Sequence, residues 1–413
     1  MSAGAPYTEP PSREPPHEEP QRVLIAGGGV AALETALALH ELAPELLDVT
    51  VIAPNADFHY RPMTVREPFA LGAARRYPLA PIVADAGASL ICDELAWVEP
   101  GERIAHTGTE GPLGYDALVL AVGAKAVPRY EHAVTIDPAR MDETLHGIIQ
   151  DLEGGYIGSL AFVAPGRMSW PLPLYELALM SAGRAYDTGV EVAVTLITPE
   201  ERPLAIFGAN ASSAVEELLE RAKIHTICSA FAEIPEPGEV VVRPGERHLH
   251  MDRVIALPEL YGPPVRGVPL SEHGFLRVDP HGRVAGVAGD LAGDRTGDRT
   301  GDRTGDLAGV YAAGDCTEFP IKHGGVASQQ ADAVAQAIAA DAGAPLTPEP
   351  FHPVIHGMLL TGDEPLYLTA RITGGHGFSS ELSDTPSWSP PSKIAARYLA
   401  PYLDARDRER SRA

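Results

Sequence analysis

Val23-Leu-Ile-Ala-Gly-Gly-Gly-Val-Ala-Ala-Leu-Glu34 reads as a buried strand, a glycine turn and the start of a helix. Gly27, Gly29, Val30 and Ala32 fall where a GxGxxG/A turn lets a pyrophosphate approach backbone N–H groups at a helix N-terminus. Far downstream, Gly309-Val-Tyr-Ala-Ala-Gly-Asp-Cys316 is an apolar strand running into Gly314-Asp315, and an acidic side chain there suits the ribityl or pyrophosphate part of a flavin dinucleotide. The two segments together imply FAD, held by a domain that the chain leaves and re-enters.

The chain has 413 residues, enough for two to three domains with cores of their own. Its 32 basic and 56 acidic residues give a formal charge of −24, which argues against nucleic acid and against docking on anionic lipid. No apolar run approaches the ~18 residues of a membrane span, and the Pro- and Glu-rich start is unlike a signal peptide, so a cytoplasmic location is expected. Cys92, Cys228 and Cys316 are widely separated and form no CxxC, so no disulfide framework, zinc site or other metal site is expected.

An α/β fold follows from the order of patterns: two Rossmann-like dinucleotide-binding domains, the FAD domain discontinuous, and a small C-terminal α+β segment. The expected boundaries are a disordered tail at 1–20, FAD domain at 21–139, a second nucleotide-binding-like domain at 140–257, FAD domain again at 258–344 and a C-terminal segment at 345–413. Val254-Ile-Ala-Leu257 is read as the strand that returns to the FAD domain. The repeat GDLAGDRTGDRTGDRTGDLAG at 289–309 reads as a tandem expansion in a surface loop.

After its first strand the second domain runs Ala164-Pro-Gly-Arg-Met-Ser-Trp-Pro-Leu-Pro-Leu-Tyr-Glu176. Only Gly166 matches a fingerprint glycine, and Pro171 and Pro173 lack N–H groups for a phosphate, so the motif for NAD(P)H is degraded. Cys92 and Cys228 end apolar strands and read as small packing residues, whereas Cys316, beside Asp315, is either a redox thiol or a packing residue.

Val49-Thr-Val-Ile-Ala-Pro-Asn-Ala-Asp-Phe-His-Tyr-Arg-Pro62, the turn Ala121-Val-Gly-Ala-Lys125 and Pro320-Ile-Lys-His-Gly324 resemble segments of sulfide:quinone oxidoreductases and flavocytochrome sulfide dehydrogenases. More broadly they resemble the type II NADH dehydrogenase branch of the two-dinucleotide-binding flavoproteins. The resemblance spans 22 to about 370. It implies non-covalent FAD contacted by Asn55, Arg61, Ala121, Val122, Gly123, Lys125, Lys322 and Gly324 together with the glycine-turn residues and Gly314-Asp315.

Where the sulfide-oxidising relatives carry redox cysteines, this chain has Trp170, followed by Tyr175-Glu176, and His356-Gly-Met-Leu-Leu-Thr-Gly-Asp363. The type II NADH dehydrogenases line their quinone pocket with two glutamines; here Gln329 is kept and Gly325 replaces the first. Trp170, His323 and His356 are therefore candidates for shaping the redox chamber, with Cys316 as the thiol candidate. Lys322 and His323 would place positive charge beside a reduced flavin; alternatively His323 is a solvated loop residue. The implied function is two-electron transfer through FAD between a small-molecule donor, NAD(P)H or another reductant, and an acceptor such as a quinone. Two alternatives stay open: a flavin-binding protein without turnover, and sulfide oxidation.

Overall fold

The computed structural model describes residues 19–167, 170–286, 307–373 and 377–412, so the expected tail, apart from Glu19 and Pro20, and most of the Gly-Asp-Arg-Thr loop lie outside the described residues. Gln21–Ala26, Leu47–Ile52, Ser89–Ile91 and Ala117–Leu120 form a parallel sheet with Val310–Ala312, which joins it beside Ala117–Leu120. A strand from near residue 310 pairing with one near 118 makes this first module discontinuous, as the two glycine segments imply. Its strands are apolar on both faces because both are covered. The helices Val30–Leu42 and Gly324–Asp341 share one face, where Ala31, Ala32, Ala36, Ala331 and Ala335 let the backbones approach closely. An antiparallel ribbon of Leu95–Glu99, Ile104–Thr107 and Pro112–Gly114 covers the other, packing Val98, Ala105 and Tyr115 on Leu24, Leu118 and Leu120.

The second module is a parallel sheet in the order Val134–Thr135, Arg253–Ala256, Ser159–Val163, Ala193–Ile197, His225–Ile227. Two expectations need correction. Arg253–Ala256 is an inner strand of this sheet and does not return to the first module, and the sheet already begins at Val134, before residue 140. Both sheets are parallel with buried apolar strands, so composition carries no label for which sheet a strand joins. The crossing is made instead by the antiparallel pair Lys125–Val127 and Glu259–Tyr261.

Residues beyond 345 are α+β but do not form a core of their own. The strands Val354–Leu359, Leu366–Thr373 and Gly377–Ser383 make an antiparallel sheet whose Ile355, Leu359 and Leu368 pack into the second module's core with Leu172, Leu204 and Phe207. The helix Leu399–Arg412 instead buries Leu399, Ala400 and Leu403 in the first module's core. Pro401 lies in its first turn, where the missing N–H has no helical partner to lose.

Candidate functional site

Three strand ends of the first sheet converge at its C-terminal edge, where open parallel sheets bind ligands. Gly27 has φ +135°, and a Cβ there would stand 2.2 Å from the Ala121 carbonyl oxygen, so the turn passes directly against the neighbouring strand end. Gly29 begins the helix Val30–Leu42 with no side-chain cap, and a Cβ at Gly29 would meet nothing within 4 Å. The helix start is therefore open on the side of the Gly29 Cβ direction, and its first N–H groups have no side-chain cap. Val30 is half-buried and Ala32 fully buried, so Ala32 serves helix packing.

The third strand end supplies Gly314 and Asp315. Gly314 has φ +83°, with its Cβ direction 3.1 Å from Ala31 Cβ, and its N–H donates to Gln330 Oε1 at 2.8 Å. Gln330 also donates to Thr317 Oγ1 at 3.2 Å. This buried side chain fixes the turn that presents Asp315. The half-buried Asp315 carboxylate has no hydrogen-bond donor among the described residues. Burial pushes its pKa up, while Lys322 and Arg61 favour the charged form. A carboxylate desolvated in this way needs hydroxyl or N–H donors, and a sugar alcohol chain beside the helix N-terminus offers them.

Arg61, Asn55 and Lys125 are exposed around this cradle, and Val122 and Gly123 are half-buried at the strand end. At Gly324 a Cβ would lie 3.0 Å from Ile394 Cγ1, so the glycine admits the C-terminal segment.

The residues that lead into the helix Gly324–Asp341 are buried. Lys322 donates from Nζ to the Thr317 carbonyl and lies 4.0 Å from the centre of the Phe275 ring; burial lowers its pKa to about 8. His323 is 8% exposed, packs 4.3 Å from the Trp170 ring, and has a buried Nδ1 without a partner. Burial, with His356 and Lys393 nearby, holds its pKa down to about 3, so it is neutral. The positive charge expected at this helix start is thus Lys322 alone. His356 is also neutral, lowered to about 4 by burial and Arg371. Gly325 is explained by His323: a Cβ at 325 would stand 3.0 Å from the imidazole Cε1, so the ring fills the space a side chain there would use. Gln329 is occupied too, exchanging two 2.8 Å hydrogen bonds with the Val354 backbone.

Cys316 is fully buried, donates to the Leu120 carbonyl at 3.1 Å, and has its thiol pushed up to about 12 by burial. A thiol so held is a packing group, not a nucleophile. Cys92 is exposed, contrary to the buried strand-end role expected of it, because Ser89–Ile91 is a short edge strand.

Residues 392–399 thread between the modules and are held by side chains that sequence reading did not single out. Lys393 donates to Glu176 at 2.6 Å and to the Pro62 carbonyl at 3.0 Å, and the Leu360 N–H donates to Glu176 at 2.9 Å. Tyr60 Oη accepts the Ile394 N–H at 3.0 Å. Glu34 accepts the N–H groups of Arg397, Tyr398 and Leu399 at 2.6–3.0 Å, which caps the last helix. An acid at a buried position of an otherwise apolar helix, as in Ala31-Ala-Leu-Glu-Thr-Ala36, was the available signal.

In the second module the half-exposed Phe231 ring lies over the corresponding turn at Gly166. A Cβ at Gly166 would stand 3.1 Å from the Phe231 ring. Arg167 stacks 4.3 Å from the centre of the Tyr261 ring and donates to the Leu260 carbonyl. Glu200, just past the second strand, where an acid binds adenosine ribose, instead accepts from Tyr175 Oη at 2.6 Å and Thr198 Oγ1 at 3.1 Å.

Two dinucleotide-type modules, the first interrupted by the second, with an interface segment at the C-terminus, define the architecture of the FAD/NAD pyridine nucleotide-disulfide oxidoreductases. Within that architecture the chain is similar to the sulfide-quinone reductase of Aquifex aeolicus (strain VF5), 26% identical over 262 residues. That match covers 59% of this chain and 60% of the relative, so it spans less than two thirds of the relative's length. The solved sulfide:quinone oxidoreductase of the same bacterium superposes with a TM-score of 0.73 over 88% of this chain and 87% of that one, at 20% identity. A Rhodopseudomonas palustris ferredoxin reductase for the CYP199A2 system follows at 0.62, 17% identity and 88% of each chain. A NAD-dependent persulfide reductase from A. fulgidus gives 0.58, 17% identity, 86% of this chain and 64% of that one. No family model matches the chain.

Proposed function

We propose that this chain is a FAD-dependent oxidoreductase that moves two electrons from a small donor other than NAD(P)H to an acceptor of the quinone class. The observation that carries the reading is the half-buried Asp315 carboxylate, without a hydrogen-bond donor among the described residues, on the turn that packs Gly314 against Ala31 of the uncapped helix start. FAD, when bound, supplies the two-electron chemistry. Gly27, Gly29 and Val30 would take its pyrophosphate and Asp315 its ribityl hydroxyls, and Lys322 would offset negative charge on the reduced ring. Trp170 packs on His323, and His323 and His356 are both neutral, which would favour an uncharged planar acceptor over a small anion beside them.

The donor side is argued from the second module. Among the described residues of that turn, Pro171 and Pro173 offer no N–H to a phosphate, and Glu200, bound by Tyr175, is not free for a ribose, which argues against a nicotinamide dinucleotide there. Sulfide oxidation through a dithiol lacks support, since all three cysteines are unpaired and Cys316 is a buried thiol. Among the described residues no helix is long and apolar enough to cross a membrane.

Anaerobic titration of the purified yellow protein tests the reading. Stoichiometric FAD, no bleaching by NADH or NADPH, and bleaching by another reductant reversed by menadione are expected. Purification without flavin, and failure to take it up, would refute it. Flavin that no donor reduces would favour a binding protein without turnover.

A further inference from the structure

Both charged groups assigned to the cofactor hang from the turn 314–317. Asp315 is its second residue, and Lys322 donates from Nζ to its last carbonyl, at Thr317. Resting on the flavin reading above, we propose that Gln330 and Thr317 are positioning residues that set the affinity and the potential of the bound flavin by fixing this turn.

Their hydrogen bonds close a ring. The Gly314 N–H donates to Gln330 Oε1 at 2.8 Å, Gln330 Nε2 donates to Thr317 Oγ1 at 3.2 Å, and Thr317 Oγ1 donates to the Gly314 carbonyl at 2.9 Å. The Thr317 N–H adds a second bond to that carbonyl at 3.0 Å. Both backbone polar groups of Gly314 are thus paired, at a residue whose φ of +83° side chains rarely tolerate. Gln330 is 5% exposed and Thr317 fully buried, so each bond is shielded from water and costly to leave unmade. A primary amide suits the ring, because one planar group accepts from an N–H and donates to a hydroxyl. A charged Glu would offer no donor, and Leu neither donor nor acceptor.

The ring reaches the two charges by different routes. Through Gly314 it sets the direction in which the chain presents Asp315. Through Thr317 it sets the carbonyl that receives the Lys322 amine, which also lies 4.0 Å from the centre of the Phe275 ring. Cys316 ties the same turn to the neighbouring strand through the Leu120 carbonyl at 3.1 Å. A buried cation beside a flavin favours its reduced, anionic form over the neutral oxidised form, so the placement of Lys322 enters the potential. Gln329, one residue earlier, supplies the contrast. Its amide bonds the Val354 backbone and the Gly325 carbonyl, so it fastens the C-terminal sheet and not the turn.

The test uses the FAD-loaded full chain in wild type and in Gln330→Leu, Thr317→Val, Thr317→Ser and Gln329→Leu. FAD affinity is read by fluorescence titration, and the midpoint potential by anaerobic dithionite titration against indicator dyes at saturating FAD. Gln330→Leu should bind FAD about tenfold more weakly, as expected for the loss of about one hydrogen bond's worth of positioning. Its potential should fall by about 30 mV, a tenfold shift toward the oxidised form for a two-electron couple. Thr317→Val, which keeps the shape of the side chain and carries the test if Gln330→Leu fails to fold, shifts both readings in the same direction. Thr317→Ser restores them, and Gln329→Leu leaves them at wild-type values. A merely structural role is separated by a double-variant cycle: on a Lys322→Met background Gln330→Leu lowers the potential no further, because the cation it positions is gone. Wild-type affinity and potential in both Gln330→Leu and Thr317→Val, or a full additional drop on the Lys322→Met background, overturn the positioning role alone. Wild type that takes up no FAD overturns the flavin reading and this inference with it.

Discussion

After its first strand, the first module runs Gly27-Gly28-Gly29 into a helix whose N-terminus is uncapped and open. After Ser159–Val163 the second runs through Gly166, beneath the Phe231 ring, into a helix entered through Pro171 and Pro173. Past the second strand the contrast reverses. The first module has an exposed Asn55 where an acid usually stands, and the second keeps the acid, Glu200, but turns it onto Tyr175. One strand–turn–helix plan therefore yields a ligand cradle or a closed structural block, according to a few residues at the turn.

The largest effect is expected where the modules are joined. Lys393→Met leaves the fully buried Glu176 without its cation, and breaking a buried pair from one side costs about 3–5 kcal/mol. Urea unfolding should show that loss. The double variant Glu176→Leu/Lys393→Met should recover much of it, since no lone charge is left buried. If Lys393→Met is as stable as wild type, the pair is not what fastens residues 392–399 between the modules.

Next comes the glycine contrast itself. Gly27→Ala forces a Cβ against the Ala121 carbonyl in a left-handed conformation, a strain of about 1–3 kcal/mol that should weaken FAD binding roughly 10–100-fold. Gly166→Ala meets only the edge of a half-exposed Phe231 ring, which can swing aside, and should leave FAD affinity unchanged. Equal flavin loss in both variants, measured by fluorescence titration, would erase the distinction between the turns. A smaller effect is expected from Tyr175→Phe, which frees Glu200 at a cost of about 1 kcal/mol. NADH should still fail to bleach the flavin of this variant, because Pro171 and Pro173 still offer no N–H to a phosphate.

The paired glycine segments made the first sheet and its discontinuity legible, since Gly27 and Gly314 answer to backbone geometry that few other residues meet. Trp170 and His323 were singled out from where cysteines and a cation were expected, and the structure brings their rings together. The state of His323 was not legible, because its neutrality comes from burial by distant segments. Nor were Glu176–Lys393 and Glu34–Leu399, whose partners lie 217 and 365 residues apart in the chain. The strand Arg253–Ala256 was misassigned for a related reason: an apolar parallel strand fits either sheet, and only the crossover at 125–127 and 259–261 decides between them.

Each module's core also contains a buried helical acid, and the two are neutralised in opposite ways. Glu176 has Lys393, whereas Glu34 faces a second carboxyl, Asp332, across the helix pair Val30–Leu42 and Gly324–Asp341. Burial raises the Glu34 pKa, but three backbone N–H groups and Ser328 oppose it by favouring the charged form. The shared proton therefore rests on Asp332, whose pKa burial and Glu34 raise to about 8 against the opposing charge of Arg397. In the unfolded chain Asp332 releases its proton near 3.8, so between about pH 4 and 8 the folded state holds a proton that the unfolded state has lost. This site's contribution to stability then falls as pH rises through that window and levels off above it. Asp332→Asn carries a permanent N–H donor toward Glu34 and removes the slope. The variant should match wild type near pH 4 and melt roughly 2–4 °C higher at pH 8. A constant difference in Tm across that range would show that the two carboxyls do not share a proton, and that the first module neutralises its buried acid by the backbone cap alone.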